Sequence, residues 1–183
     1  AHSRGAPITI KSHQNALQCL CISQDGTMVA TASQRGTLIR VFDTDHGGAL
    51  RELRRGTSKA TIVSMTFSPD NKLLAVVSDK ETIHIFDLTN GVPPPPPTSI
   101  SNKLGIGALD QIRSSCRFEV QNDHPLVCFG SVKNSLVILG KDGLYSRYIF
   151  EMGEQGTRGV VHADIVDFSC LRHEDSSNNV VKP

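Results

Sequence analysis

The sequence predicts an all-β protein, a β-propeller of four-stranded antiparallel blades. Three observations lead to this prediction. A pattern of short apolar strands occurs twice at an offset of 45 residues, a third group of short strands follows it, and residues that favour hairpin turns separate the strands. A repeat of roughly 40–45 residues that contains several short strands is typical of propeller blades.

The first repeat unit covers residues 13–56 and contains four predicted strands. These strands span residues 17–22, 28–33, 37–43 and 49–54. The first two are joined by Ser23-Gln24-Asp25-Gly26, whose small and polar residues favour a hairpin turn. Residues 1–12 are interpreted as the end of a preceding blade, with one short β-like run at residues 8–10.

The second unit, residues 57–115, repeats this pattern and then departs from it. Its strands are predicted at 62–67, 73–78 and 82–87, and Ser68-Pro69-Asp70-Asn71 has the same turn chemistry as the first turn. A long segment, residues 89–112, follows and includes the proline run 93–97. Proline has no backbone donor, so this run does not form a central strand. Two interpretations remain open: a disordered connection, or a loop that dips apolar side chains into a membrane or a partner.

The third unit is predicted at residues 116–171, followed by a polar tail at 172–183. Strands are expected at 116–120, 126–130, 135–139 and 144–150, then a loop at 151–163 and a final strand at 164–171. The tail is expected to be disordered. Propellers carry typically four to eight blades, so three blades do not close a ring. We therefore expect the C-terminal part of a longer propeller, with the remaining blades from another segment or chain.

Composition narrows the classes of function. The chain of 183 residues has a formal net charge of +1, which argues against a nucleic-acid partner. The five cysteines lack the spacing of a zinc site or a disulfide framework, which favours a reducing compartment. No apolar stretch is long enough to span a bilayer. Catalytic and phosphate-cradling motifs are missing as well. We predict a binding protein that is not an enzyme and uses no metal and no cofactor.

The candidate functional feature is Leu53-Arg54-Arg55-Gly56, at the end of the first unit. Adjacent side chains of an extended segment point to opposite faces, so Arg54 and Arg55 are positioned to serve two separate anion sites. Arginine suits this role because its planar fork grips a phosphate with two hydrogen bonds. The alternative is a pair of solvated arginines at a strand end.

In this setting the tetrapeptide resembles the signature of the PROPPIN family, Phe/Leu-Arg-Arg-Gly. The first unit carries Ser33-Gln-Arg-Gly-Thr-Leu-Ile-Arg40 before it, and the second unit carries Ser78-Asp-Lys-Glu-Thr-Ile-His84 after it. The resemblance covers residues 13–150, most strongly residues 13–88, and the leucine form is similar to the WIPI-like branch. It implies a seven-bladed, WD-repeat-like propeller that binds phosphoinositides in autophagy, of which this chain holds about three C-terminal blades.

The resemblance also implies which residues bind the lipid headgroups. Carried over position by position, the first pocket would use Arg54 with His13, Ser33, Arg35, Thr37 and Arg40, and the second would use Arg55 with Ser78, Lys80, Thr82 and His84. Hydroxyls, imidazoles and cations are suitable partners for phosphate oxygens. Glu81 departs from the family, which usually has glycine here, as the first unit does at Gly36. A carboxylate at this position would weaken an anion site unless it points away.

The implied function is an autophagy effector or scaffold that recognises phosphatidylinositol 3-phosphate and the 3,5-bisphosphate. The implied location is cytoplasmic and peripheral, on preautophagosomal, endosomal or vacuolar/lysosomal membranes, with the long loop of the second unit inserted into the bilayer. The implied partners are phosphoinositide membranes and autophagy proteins, including the lipid-transfer partner of the family, contacted through blades outside this chain. The alternative is a generic WD-repeat scaffold whose arginine pair contacts an acidic partner.

Overall fold

Every regular element in the described part of the chain is a β-strand. The computed structural model describes residues 7–89, 111–120, 125–141, 143–151 and 158–167. The strands within these ranges are β1 (Leu17–Ile22), β2 (Met28–Ser33), β3 (Leu38–Asp43), β4 (Ala49–Arg54), β5 (Ile62–Phe67), β6 (Leu73–Ser78), β7 (Thr82–Asp87), β8 (Gln111–Arg113), β9 (Cys116–Glu119), β10 (Leu126–Phe129), β11 (Ser135–Leu139), β12 (Leu144–Glu151) and β13 (Arg158–Asp167).

The strands form three sheets, as the sequence predicts for consecutive blades. The first sheet has the order β1-β2-β3-β4-β8, the second β5-β6-β7-β9 and the third β10-β11-β12-β13. Neighbouring strands are antiparallel, except that β8 runs parallel to β4 as a fifth strand. The all-β class and the antiparallel, propeller-like sheets are confirmed.

One strand lies in a different sheet from the one that the sequence pattern suggests. Residues 116–120 are predicted as the first strand of the third unit, but β9 pairs with β7, with His84 opposite Arg117 and Ile85 opposite Cys116. This pairing satisfies the backbone groups along β7 and buries Cys116 completely. The prediction for this strand is therefore wrong. The long segment is an insertion between the third and fourth strands of the second sheet.

The third sheet also differs from the prediction at its last strand. Residues 151–163 are predicted as a loop and 164–171 as a strand, but β13 spans Arg158–Asp167 and pairs along the whole of β12, from Leu144 opposite Asp167 to Glu151 opposite Arg158. A long neighbouring strand offers backbone partners to most of these residues, which apolar alternation alone does not reveal.

The core lies between successive sheets, and the second sheet contributes to both of its layers. Leu74 and Val76 of β6 pack against Ile39 and Val41 of the first sheet. The alternate residues of β6, which include Val77, belong to a second buried cluster with residues of the third sheet. Side chains of a strand alternate between its faces, so a strand covered on both faces is apolar throughout. The uninterrupted apolar run of β6 follows from this position.

The two hairpin turns that carry the repeat have the same hydrogen bonds. Ser23 Oγ donates to Asp25 Oδ1 at 2.7 Å in the first turn, and Ser68 Oγ donates to Asp70 Oδ1 at 2.6 Å in the second. Asn71 Nδ2 donates to Asp25 Oδ2 at 2.7 Å and so joins the turns of adjacent sheets. The hydrogen bond from Ser23, then those from the backbone and hydroxyl of Thr27, hold the pKa of Asp25 well below its usual range, and the bond from Asn71 lowers it further.

The β-like run predicted at residues 8–10 is not a strand. Ile8 and Ile10 instead lie against Gly47, where an added Cβ would come within 2.8 Å of Ile8 Cγ2. An extended segment becomes a strand only when a neighbour satisfies its backbone groups.

Some predictions concern residues outside the described ranges. These are the proline run, most of the long segment and the polar tail. Within the described ranges, no helix has the length and apolar character needed to cross a membrane.

Candidate functional site

Arg54 is the last residue of β4, and its side chain faces a cavity at that end of the first sheet. The preceding residue, Leu53, is fully buried in the core. Strand alternation therefore sends Arg54 to the other face, where it lines the cavity. Arg54 lies opposite Leu38 of β3 on one side and opposite Arg113 of β8 on the other.

All six residues expected in the first pocket line this one cavity, which has a volume of about 970 Å³. They come from the segment before β1, the end of β2 with the turn that follows it, β3 itself and the end of β4. Ligand cavities typically have volumes of about 300–1,000 Å³. The lining residues are Lys11, Ser12, His13, Gln14, Asn15, Ser33, Arg35, Thr37, Leu38, Arg40, Arg54, Gly56 and Thr57.

The cavity lining is strongly cationic. Lys11, Arg35, Arg40 and Arg54 line it, whereas none of the described residues that line it carries a carboxylate. Lys11 is a cation that the sequence reasoning did not include. Four cations around one cavity favour an anionic ligand, because charges that are partly shielded from water interact more strongly.

Arg40 is fixed by two side-chain contacts. Its Nε donates to Glu52 Oε2 at 2.9 Å, and its Nη1 donates to the carbonyl of Ser12 at 2.6 Å. Arg40 and Glu52 lie directly opposite each other on β3 and β4. The ion pair is well shielded, with side-chain exposures of 18% for Arg40 and 6% for Glu52. The buried Glu52 thus holds a cationic side chain at the cavity without lining the cavity itself.

His13 contributes a neutral imidazole at neutral pH. Its Nε2–H donates to the carbonyl of Thr31 at 3.1 Å, which fixes the ring. Burial lowers the pKa of His13, and the nearby charge of Arg40 lowers it further. At the cavity, His13 is a hydrogen-bonding group and the arginines supply the positive charge.

Arg55 reaches a different part of the structure from Arg54. Its Nε donates to the carbonyl of Gly36 at 2.6 Å, and its Nη2 donates to the carbonyl of Ser58. Burial lowers the pKa of Arg55, while the carboxylate of Asp79 from the second sheet raises it. The two arginines therefore diverge, as strand alternation predicts, and Arg55 faces the second sheet.

The residues expected with Arg55 are only partly brought together. Ser78 and His84 are buried, whereas Lys80 is exposed. Ser78 Oγ accepts from Lys80 N at 3.4 Å, and Thr82 Oγ1 donates to the carbonyl of Lys80 at 3.0 Å. Within the described ranges, none of the hydrogen bonds joins Arg55 to these four residues. The second site thus has the expected turn but not a connected set of side chains.

His84 lies in a buried and positively charged setting. Burial, followed by the charges of Arg55 and Arg117, lowers its pKa to about 4. Its Nδ1 lies 3.2 Å from Ser114 Oγ, and Arg117 lies opposite it on β9. His84 is neutral and lies beside Arg55 and Arg117. An anion bound here would reduce the repulsion between these two arginines.

Glu81 adopts the left-handed conformation that its position requires. Its φ is 54°, close to the φ of 62° at Gly36, which occupies the matching turn of the first sheet. The side chain of Glu81 is exposed. No hydrogen bond or ion pair joins its carboxylate to Arg55 among the residues that the structure describes. The replacement of glycine by Glu81 therefore affects mainly the backbone conformation of this turn.

Sequence reasoning missed four polar residues near the arginine pair. Lys11 lines the first cavity, Gln111 Oε1 accepts from Arg54 Nη1 at 2.8 Å, and Ser114 and Arg117 adjoin His84. In the sequence, Gln111 lies at the end of the long segment, Ser114 lies just after it, and Arg117 lies in the predicted first strand of the third unit. Only the rule that a blade needs a fourth strand would have pointed to them.

In the described residues there is no group of three His, Cys, Asp or Glu residues placed to hold a metal.

Comparisons with known proteins agree with this architecture. Residues 2–109 match the family model PROPPIN. Autophagy-related protein 18e of Arabidopsis thaliana is 34% identical over 152 residues, which are 80% of this chain and 40% of that protein.

Two solved structures are similar to the chain. Kluyveromyces lactis Hsv2 with its complete loop 6CD has a TM-score of 0.73 and 30% identity, over 90% of this chain and 52% of that one. KlAtg21, in complex with the coiled coil of AgAtg16, has a TM-score of 0.61 and 30% identity, over 85% of this chain and 43% of that one. The chain spans about half the length of these relatives or less.

Proposed function

Because the chain belongs to the PROPPIN family, we propose that it is part of a β-propeller that binds phosphoinositide headgroups. One observation carries the proposal: six residues from four separate segments line one cavity, together with Lys11, and no carboxylate lines it among the described residues. The second site, around Arg55, completes the proposal. Its support is weaker, because its side chains are less connected.

The chemistry of the first cavity suits a phosphorylated inositol. Arginine forks bind phosphate through paired, charge-assisted hydrogen bonds, and the hydroxyls of Ser33 and Thr37 supply further donors. The proposed ligands are phosphatidylinositol 3-phosphate and the 3,5-bisphosphate. The chain binds and does not catalyse in this proposal, since the side chains of the cavity are suited to holding an anion.

We place the protein on the cytoplasmic surface of autophagic, endosomal or vacuolar/lysosomal membranes. Two headgroup sites on one edge reinforce each other, because the first contact raises the effective concentration for the second. Insertion of the long loop, residues 89–112, would add to this attachment.

Two kinds of protein contact complete the proposal. The outer face of β1 exposes Leu20 and Ile22 at 57% and 60%, and the third sheet exposes Leu126 at 61%. Further blades would cover these apolar side chains, which agrees with the greater length of the relatives. Autophagy proteins, including a lipid-transfer partner, would bind to those other blades. The complex of the similar protein KlAtg21 with the coiled coil of AgAtg16 supports the proposal of a protein partner.

The test is flotation of the full-length protein with liposomes that contain phosphatidylinositol 3-phosphate, beside phosphatidylinositol controls. We expect the wild type to float only with the phosphorylated lipid and the variant with Arg54→Thr and Arg55→Thr to remain unbound. The single variants then apportion the two sites, with the larger loss expected for Arg54→Thr.

A matched control removes a cation from the other end of the second sheet. Lys72→Thr changes an exposed lysine in the turn before β6, and β6 separates this turn from Ser78 by about 20 Å. We expect Lys72→Thr to float like the wild type. If the double arginine variant floats equally well while folded, the arginine pair is not the lipid site. A scaffold that contacts an acidic partner would then be the better explanation.

A further inference from the structure

A buried carboxylate organises the side chains behind the first cavity. Glu52 is 5% exposed and lies on β4, two residues before Arg54 on the same face of the strand. Its Oε2 accepts from Arg40 Nε at 2.9 Å, and its Oε1 accepts from Gln111 Nε2 at 2.8 Å. Both carboxylate oxygens therefore have a partner, as a buried charge requires.

Gln111 connects this carboxylate to Arg54. Its Oε1 accepts from Arg54 Nη1 at 2.8 Å, while its Nε2 donates to Glu52. The parallel pairing of β8 with β4 places Gln111 directly opposite Glu52 and fixes its distance from Arg54. A continuous chain of hydrogen bonds thus runs from Arg40 through Glu52 and Gln111 to Arg54, and it ties together two cations of the cavity.

We propose that Gln111 is a positioning residue of the first headgroup site, which holds the guanidinium of Arg54 in place for a phosphate. The inference rests on the proposed function of that cavity. A neutral amide suits this task, because it fixes Arg54 without neutralising its charge. Gln111 uses one Nη1 donor, and the Nε–Nη2 edge of the fork has the geometry for a bidentate contact with a phosphate.

The arrangement also keeps Arg54 from pairing directly with the carboxylate of Glu52. A direct ion pair with Glu52 would offset the charge that the anion needs, whereas Gln111 stands between the two groups. Ordering a long side chain before binding reduces the entropy that is lost on binding. Removal of the amide should therefore weaken the site about 3- to 10-fold while leaving its charge unchanged.

The test measures the first site alone, in the full-length protein with Arg55→Thr. Binding to phosphatidylcholine vesicles with and without phosphatidylinositol 3-phosphate is compared for Gln111→Met and Gln111→Glu. The soluble inositol phosphate headgroup serves as competitor in a second arm, which separates the lipid from free phosphate as the source of binding. Gln34→Met is the matched control, since Gln34 is an exposed glutamine that does not line the cavity.

We expect Gln111→Met to bind about 3- to 10-fold more weakly. Gln111→Glu should lose more and approach the level of Arg54→Thr, because it pairs the arginine with a carboxylate. In the single Arg54→Thr protein, which keeps Arg55 and therefore still binds through the second site, Gln111→Met should cause no further loss. A purely structural role would predict the same loss without Arg54.

Two results would overturn the inference. Gln111→Met binding as tightly as the Arg55→Thr protein would show that the amide does not position the arginine. A loss of equal size in the Arg54→Thr protein would show that Gln111 acts by some other route. In either case the Arg54→Thr loss would still support the headgroup site, whereas failure of the unmodified protein to bind would refute the proposed function as well. Gln111 is exposed, so its variants are expected to fold, and the melting temperature checks this.

Discussion

Acidification should destabilise the protein through His84. Its imidazole is 3% exposed, and burial together with the charges of Arg55 and Arg117 lowers its pKa to about 4. An unfolded chain protonates histidine near its ordinary pKa of about 6.5. Between these two values the unfolded state binds a proton that the native state does not accept, so stability falls as the pH falls.

The size of this effect follows from the pKa difference. Each pKa unit corresponds to about 1.4 kcal/mol. Linkage then gives a loss of about 2 kcal/mol between pH 7 and pH 5, and about 3 kcal/mol by pH 4. Because His84 is buried, solvent screening reduces this loss of stability little. The loss is large beside the total stability of a typical domain, about 5–15 kcal/mol.

Urea unfolding at a series of pH values tests this effect, with the wild type beside His84→Gln. From pH 7 to pH 5, the unfolding free energy of the wild type should fall by about 2 kcal/mol relative to that of His84→Gln, since only the wild type can lose this contribution. The nuclear magnetic resonance titration of the His84 ring gives the pKa directly. His13 also has a lowered pKa and is present in both proteins, so its contribution cancels.

Arg117→Met sharpens the test because it removes one of the two charges that act on His84. The pKa of His84 should rise, and the acid-induced loss should become smaller. Arg113→Met, on the neighbouring strand β8, is the control and should leave the titration unchanged. A titration of His84 near pH 6.5, or identical pH profiles for wild type and His84→Gln, would refute the argument.

Two further predictions concern the matching turns before β3 and β7. Gly36→Ala should destabilise the protein by about 3 kcal/mol or more in urea unfolding, because its Cβ would lie 1.8 Å from the carbonyl oxygen of Ala60 at a φ of 62°; wild-type stability would contradict this. Glu81→Gly should raise the unfolding free energy by about 0.5–1 kcal/mol, since glycine adopts the φ of 54° without strain, and in the Arg54→Thr protein it should also strengthen vesicle binding by the second site. Glu81→Gln is the control: it removes the charge but keeps the backbone strain, so a gain in stability from Gln alone would point to charge instead.

Local sequence patterns predicted the fold because the physics of a blade is largely local. Ser23 and Asp25 form a turn whose hydrogen bonds close within six residues, from Ser23 to Met28, and Ser68 and Asp70 repeat it. The apolar run of β6 indicates a strand covered on both faces. Strand pairing across an insertion has no such local signal. For this reason the sequence pattern assigns β9 to the wrong sheet, although it correctly predicts that these residues form a strand.

The same reasoning explains which part of the candidate site was predictable. The six residues of the first cavity lie before the insertion, where repeat and motif fix their positions, and the structure brings them to one cavity. Gln111 lies at its end and Ser114 and Arg117 lie after it, and their neighbours are known only once β8 pairs with β4 and β9 pairs with β7. This short stretch passes from the first sheet to the second beside the arginine pair. It holds Arg54 through Gln111 and places Arg117 opposite His84. A change in the position of the stretch would therefore reach both proposed headgroup sites at once.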